Sequence, residues 1–349
     1  MLQEYSEVIM ELLNRICEIG GLSGFEYKGN SELEKIFKEY LEDVFIDPVG
    51  NVYGYVRCGK KDAPVIMLEA HFDTIGLMVK TIEKGGFLRV VSLGGVDSRI
   101  LPGSEVIVDG KEEIFGIIGV KPPHILTAEE REKGIKLEDI LIDTGFADEE
   151  LEKLVRVGDP IRIKTKHTHL GENKFCGGGL DDRAGIYAIL KAAIAAKNEK
   201  LGFDICVVGA TTEEVSRMGA LCAASRINPD VAVIVDVTHG TTPDGEALRS
   251  RELGKGAVIA LGPNLDREKT EALIDVLKSK EIKYQIEVEG GDTGTDAWVV
   301  QTANEGVPCI LVSIPLRYMH TLVEVLSLKD LENTSEIILE FIKMYGGVM

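Results

Sequence analysis

The sequence predicts an α/β protein, a mostly parallel-stranded sheet sandwiched by helices, with a small β-barrel-like domain inserted into it. Three observations carry this. After residue 175, short apolar runs alternate with helical patterns, the rhythm of parallel strands covered on both faces. Between about residues 74 and 165 the runs are strand-like and cut by KGG, LGG, LPG and VDG, which favours a compact β-module. Helical patterns and the buried-strand pattern PVIMLEAHFD precede that module, so the α/β domain is left and then resumed. The expected boundaries are 1–73 with 166–349 for the discontinuous α/β domain, and 74–165 for the insert.

Each element has its own signal. Ile9, Leu12, Leu13, Ile16 and Ile19 recur at helical spacing before a GG stop. Ser31 with Glu34 reads as a capping box opening a helix to about Val44. VFIDPVGNVYGYVR reads as two strands around a DPVGN turn. In the second half, AGIYAILKAAIAAK is helical, FDICVVGA a strand, VSRMGALCAASR helical and VAVIVDV a strand. AVIALG, the helical REKTEALIDVLKSK, YQIEVE, a short helix near Trp298, PCILVSIP and a C-terminal helix follow.

Composition narrows the function. The formal net charge of −19 argues against nucleic acid and anionic membranes as partners, since both need positive surface. No apolar run reaches the length of a membrane span, and the acidic, amphipathic N-terminus does not resemble a signal peptide. The six cysteines are scattered without CxxC, as reduced core thiols are, and the expected setting is cytoplasmic.

Ligands of open α/β sheets collect beyond the carboxyl ends of the strands. VIMLEA is followed there by His71 and Asp73, FDICVVGATT by Glu213 and Glu214, VAVIV by Asp236, and CILVSIPLRYM by His320. Asp181 and Asp182 stand where a helix begins. Taken singly, DD is a helix N-terminal pair favoured by the dipole, EE a solvated pair, and each histidine a satisfied core residue. Taken together, two histidines and several acids reach one sheet edge from five remote segments, which packing does not require. Carboxylate and imidazole suit zinc, cobalt or manganese, and two such ions sharing a carboxylate can acidify a water and polarise a scissile carbonyl. Adjacent glutamates supply what such a site also needs, one side chain for a metal and one for the water. Asp73, two residues past His71, is placed to fix the histidine tautomer.

The stretches EAHFDTIGLMV, GIIGVKPPHILTAEERE, KLEDILIDTGF, VRVGDPI, GLDDRAG, TTEEVSRMGA, VDVTHG, GTDAW and RYMHTLVEVLSLKDL, in this order from about residue 20 to 330, resemble the tetrahedral (TET) metallo-aminopeptidases. That group includes glutamyl aminopeptidase and relatives labelled endoglucanases. The resemblance implies that His71, Asp181, Glu214, Asp236 and His320 hold two divalent metal ions, zinc or cobalt foremost and manganese as a third option. It implies that Asp181 bridges them, that the Asp181–Asp182 peptide is cis, that Glu213 is the general base and that Asp73 orients His71. It also implies that the insert mediates dimerisation, that dimers build a homo-oligomeric dodecamer, and that the substrates are short peptides. The chain departs mildly from the family pattern in the glycine-rich CGGGLDD and in Thr74, where an acidic residue is common.

Three alternatives stand beside the aminopeptidase. A glycoside hydrolase would use two carboxylates without a metal and leave His71 and His320 unexplained. A non-catalytic assembly protein could keep the fold, and a deacylase or carboxypeptidase could share the metal pair. His167 and His169 share one face of a strand pattern and are read as surface, His124 as structural, and His239 is assigned no role. Trp298 is core or pocket wall.

Overall fold

Alternation along the central strands decides the architecture. The computed structural model describes residues 11–127, 134–243, 245 and 250–348. In the strand Val65–His71, Ile66, Leu68 and Ala70 pack into the core on one side of the sheet. Met67 packs on the other side, the side to which period-two pleating also sends Glu69 and His71. Val231–His239 divides the same way, with Val233, Val235 and Val237 on the first side and Ala232 and Ile234 on the second, in step with Asp236. Each buried branched side chain contributes roughly 1.5–3 kcal/mol. A one-residue slip would exchange the two sets, so the register that builds the core also places His71 and Asp236.

The main sheet has eleven strands among the described residues. Its order runs Glu42–Ile46, Val52–Val56, Asp204–Ala210, Val65–His71, Val231–His239, Cys309–Arg317, Glu324–Ser327, Lys174–Gly177, Thr168–His169, with Val258–Leu261 and Gln285–Val288 branching from Cys309–Arg317. The centre is parallel from Asp204–Ala210 across to Cys309–Arg317, as the helix–strand rhythm predicts. The margins are antiparallel because hairpins, such as the one through DPVGN, need no crossover helix. The helices Leu180–Ala196 and Leu328–Val348 belong to the core on one face, and Met218–Ile227 and Ala297–Val300 to that on the other.

The insert closes on itself. Six strands, Gly76–Glu83, Phe87–Leu93, Leu141–Asp143, Glu113–Gly119, Glu105–Asp109 and Pro160–Ile163, form a barrel with its own apolar core. Closure removes the edges that such short strands would otherwise expose. A short helix, Asp148–Leu154, joins it; the turn-rich reading of this stretch had no helix there.

Two expectations are corrected. Helix Asn30–Tyr40 begins one residue before Ser31, is preceded by Gly29, and carries no side-chain cap bond, so Ser31 and Glu34 are first-turn residues and not a capping box. The helix ends at Tyr40 because residues 42–46 pair as a strand with Val52–Val56. The N-terminal helix is present through residues 11–17, while Ile9 and the AEERE of the insert motif lie outside the described residues.

The DPVGN turn does more than reverse the chain. Asp47 accepts from the amides of Val49 and Asn51, the Asn51 side chain and the Tyr53 hydroxyl. The Asn51 amide group in turn donates to the Gly219 carbonyl and accepts from Thr211 N–H. That buried network pins both ends of the loop carrying Glu213 and Glu214.

Candidate metal centre and active site

His71 ends its strand fully buried, with its ring held from both sides. Nε2 lies 3.2 Å from Asp181 Oδ1 and 4.0 Å from Glu213 Oε2. Nδ1 lies 3.1 Å from the Asp73 main-chain oxygen and 3.6 Å from its carboxylate. Asp73 therefore contacts the imidazole through its backbone. Its carboxylate accepts instead from the amides of Glu213 at 3.1 Å and Glu214 at 3.3 Å, which places both glutamates at once. The expected Asp73–His71 pairing is changed in this respect: the carboxylate has two closer donors.

Asp181 connects two groups. With His71 and Asp236 it forms one trio, and with Glu214 and His320 another; the donor atoms within each trio all lie within 4.8 Å of one another. Its second oxygen is 3.3 Å from His320 Nε2, which is itself 3.4 Å from Glu214 Oε2. The Asp181–Asp182 peptide is cis, and neither residue has helical backbone angles. Asp182 then caps the helix proper by accepting from Gly185 N–H at 3.0 Å, so the bland reading of DD holds for one of its two members. Gly185 has to be glycine here, because a Cβ would sit 2.2 Å from the Asp182 carboxylate.

The loops that present these groups are conformationally tense. Thr212, Arg217, Tyr318 and His320 all have positive φ, at 58°, 58°, 59° and 61°. A β-branched residue there is an outlier that surrounding bonds must hold, and Thr212 N–H donates to buried Glu26 at 2.9 Å.

The electrostatics of the cleft favour a cation. Burial opposes protonation of His71, yet Asp181, Asp73, Glu213 and Asp236 together hold its pKa well above the ordinary value. Burial and the neighbouring acids push Asp236 and Glu214 well above the carboxylate range. Asp181 alone goes the other way: burial would raise it, but the imidazoles of His320 and His71 outweigh that. So many acids in a buried cleft repel unless protons or cations intervene. The donors are carboxylate oxygen and imidazole nitrogen, the set that zinc, cobalt and manganese accept. Asp182 Oδ2, buried beside Asp181, has no donor among the described residues. The residues present fit divalent metal.

All seven residues singled out by the sequence thus meet at one cleft or directly beneath it. The other histidines do not. His167 donates from Nε2 to the Gly178 carbonyl oxygen, 2.9 Å away, and stacks on Phe175, against which His169 packs edge-on. His124 is exposed on a short turn of the insert. His239 stands at the rim of the cleft, and Trp298 is 40% exposed.

Residues 50–337 match the M42 glutamyl aminopeptidase family. The chain belongs to that family. An M42 enzyme is a metal-dependent aminopeptidase, and membership sets aside the glycoside-hydrolase and non-catalytic alternatives. The chain is 38% identical to the lysyl aminopeptidase of Pyrococcus furiosus over 93% of its own length and 94% of that protein's. Among solved structures it resembles the TET aminopeptidase of the marine sediment archaeon Thaumarchaeota archaeon SCGC AB-539-E09, with a TM-score of 0.90 and 31% identity over 98% of this chain and 99% of that one. It also resembles the TET1 peptidase of Pyrococcus horikoshii, with a TM-score of 0.83 and 29% identity over 96% and 99% of the two chains; that peptidase can assemble into a tetrahedron or a large octahedral shell.

Three supports of this M42 site escaped the sequence reading. Glu324 is buried, and its carboxylate accepts from the amides of Leu180 at 2.8 Å, Asp181 at 3.3 Å and His320 at 2.9 Å, tying the two sides of the second trio together. It lies within a motif, yet nothing in EVLS distinguishes an inward acid from a surface one. Glu324→Gln keeps one acceptor oxygen and turns the other into a donor facing amides. We expect metal affinity to fall roughly 10- to 100-fold, read by competition with a chromophoric chelator. Gly95 lies against His320, where a Cβ would come 2.6 Å from Nδ1. Glu69 and Asp296 form the third support. Both are buried, they lie against each other, and neither carboxylate has a donor among the described residues. Burial raises Glu69 to about 8, and burial together with the charge of Glu69 raises Asp296 well above its ordinary value, so this pair favours holding a proton over full ionisation.

Proposed function

We propose that the cleft holds two divalent cations, one at each trio with Asp181 common to both, and that the enzyme removes N-terminal residues from short peptides. The observation that carries this reading is the pair of trios sharing one carboxylate, with Glu213 beside them and in neither. Zinc or cobalt suits the ligands best, and manganese also fits. Cations bound there would supply Lewis acidity for the peptide carbonyl and a lowered pKa for water.

The chain's own residues do the rest. Burial raises the Glu213 carboxyl, with His71 pulling against it, so it is a stronger base than a surface glutamate. Glu213 takes a proton from the attacking water and returns it to the nitrogen of the departing peptide. Arg217, 3.2 Å from Glu213 and bonded to Asp292, limits where that carboxylate can swing. Asp73 is a positioning residue: it holds Glu213 and Glu214 by their amides and His71 by its carbonyl. The acids around the cleft also suit the free α-ammonium that distinguishes a peptide's first residue.

We also propose that residues 1–73 and 166–349 form the catalytic domain and that the barrel of 74–165 dimerises, with dimers building a closed homo-oligomer. The shells formed by the Pyrococcus horikoshii peptidase support that reading, and a dodecamer remains the expected form. A cytoplasmic setting is supported by six unpaired cysteines. No described helix is long and apolar enough to cross a membrane. The family name and the Pyrococcus furiosus relative point to side chains of opposite charge, glutamyl and lysyl, so membership leaves that preference open.

The test is hydrolysis of aminoacyl p-nitroanilides by chelator-stripped protein before and after adding zinc, cobalt or manganese. We expect activity to vanish on stripping, to return with metal, and to be absent on N-acetylated substrates. Activity indifferent to the chelator would defeat the proposal.

A further inference from the structure

The cleft of about 450 Å³ that contains Asp181, Glu213, Glu214, Asp236 and His320 has a second acidic wall. It comes from the strand Gln285–Val288, which branches from the main sheet and pairs with Val258–Leu261. Period-two pleating turns Glu287 and Glu289 to one side of it and leaves Val288 on the other, 74% exposed. Both glutamates line the cleft.

They differ in what already satisfies them. Glu287 accepts from Thr238 Oγ1 at 3.0 Å and has the Arg251 guanidinium 3.8 Å away. Glu289 is half-buried; its main-chain amide donates to the Leu261 carbonyl at 2.8 Å, but its carboxylate has no hydrogen bond or ion pair among the described residues. Partial burial and the neighbouring Glu287 raise its carboxyl, with Arg251 opposing. It is a carboxylate that gains from a cation, and no described cation pairs with it directly. The guanidinium that lines this cleft cannot serve, because Arg217 is committed to Glu213 and, at 2.9 and 3.0 Å, to Asp292.

We propose that Glu289, backed by Glu287, recognises the side chain of the substrate's N-terminal residue and selects a basic one, lysine or arginine. This rests on the aminopeptidase reading of the same cleft. An acidic side chain entering there meets two carboxylates of its own sign. An apolar one strips water from Glu289 and offers it no donor. A lysine ammonium or an arginine guanidinium supplies the donor and the charge together. The preference runs opposite to the glutamyl specificity that names the family.

The experiment compares kcat/KM for lysyl, arginyl, leucyl and glutamyl p-nitroanilides in the metal-loaded enzyme, in Glu289→Gln and in Glu289→Lys. The expected result is that the basic substrates lead in the unmodified enzyme. Glu289→Gln lowers the lysyl-to-leucyl ratio by roughly 10- to 100-fold, the range for losing a charged hydrogen bond. Glu289→Lys raises the glutamyl-to-lysyl ratio. Leucyl or glutamyl substrates leading in the unmodified enzyme, or a ratio unmoved by Glu289→Gln, overturns the proposal while leaving the aminopeptidase reading intact. Failure to cleave any of the four after metal loading removes both.

Discussion

Glu213→Gln binds its full complement of metal and loses turnover by roughly 10²- to 10⁴-fold, the range for removing a positioned general base. The glutamine side chain has the same shape, so the hydrogen bond donated by the main-chain N–H of residue 213 to the Asp73 carboxylate and the loop course through Thr212 and Arg217 persist. What disappears is the capacity to take up a proton beside Asp181 and His71. Metal content by elemental analysis and kcat and KM by steady-state kinetics separate the two effects. The loss should fall on kcat, because the group acts in the transition state and not in substrate binding. A variant that kept near-normal turnover would take Glu213 out of the mechanism, and one that lost its metal would make it a ligand.

Asp181→Asn has the wider effect. Asp181 is the one residue common to both trios, and its two oxygens approach His71 and His320 separately. Asparagine keeps one acceptor and points a donor at whichever ring or cation needs the other. Metal binding should weaken beyond the roughly 10- to 100-fold typical of losing an outer-shell partner, at both positions together, with activity lost in parallel. Asp236→Asn touches one trio only. If the cations are independent, Asp181→Asn will lower bound metal by one equivalent, as Asp236→Asn does; if Asp181 is shared, it lowers bound metal by two. Stoichiometry in titration distinguishes these without reference to activity.

The site was legible because its donors fall at ends of strands. His71 and Asp236 follow apolar runs whose alternation fixes both strand and facing, so the side chains that miss the core are the ones that reach the cleft. The paired acids were conspicuous for a simple electrostatic reason, since like charges side by side need water or a cation. Glu324, Gly95 and the Glu69–Asp296 pair carry no such mark. Glu69 sits inside an apolar run and gives no sign of a partner until Asp296, more than two hundred residues away, is seen against it. Asp73 illustrates the same limit: its spacing from His71 pointed to its carboxylate, but the closest contact is made by its main-chain oxygen, because the amides of Glu213 and Glu214 reach that carboxylate from the loop after another strand. The capping box at Ser31 failed for a local reason. Gly29 lets the helix start earlier, and strand pairing at residue 42 ends it sooner than periodicity suggests.

Sequence alone determined that this chain builds a helix-covered sheet interrupted by a β-module, and that its strands deliver histidines and acids to one edge. Both follow from short-range periodicity, which hydrophobic burial translates directly into elements and facings. Tertiary structure alone decided that Asp181 stands between two trios, that Glu324 ties the two sides of the second one together, and that the Glu289 carboxylate faces the cleft without a partner among the described residues. Those are relations between segments far apart in the chain, set by sheet register and loop packing, and no local pattern encodes the distance between them.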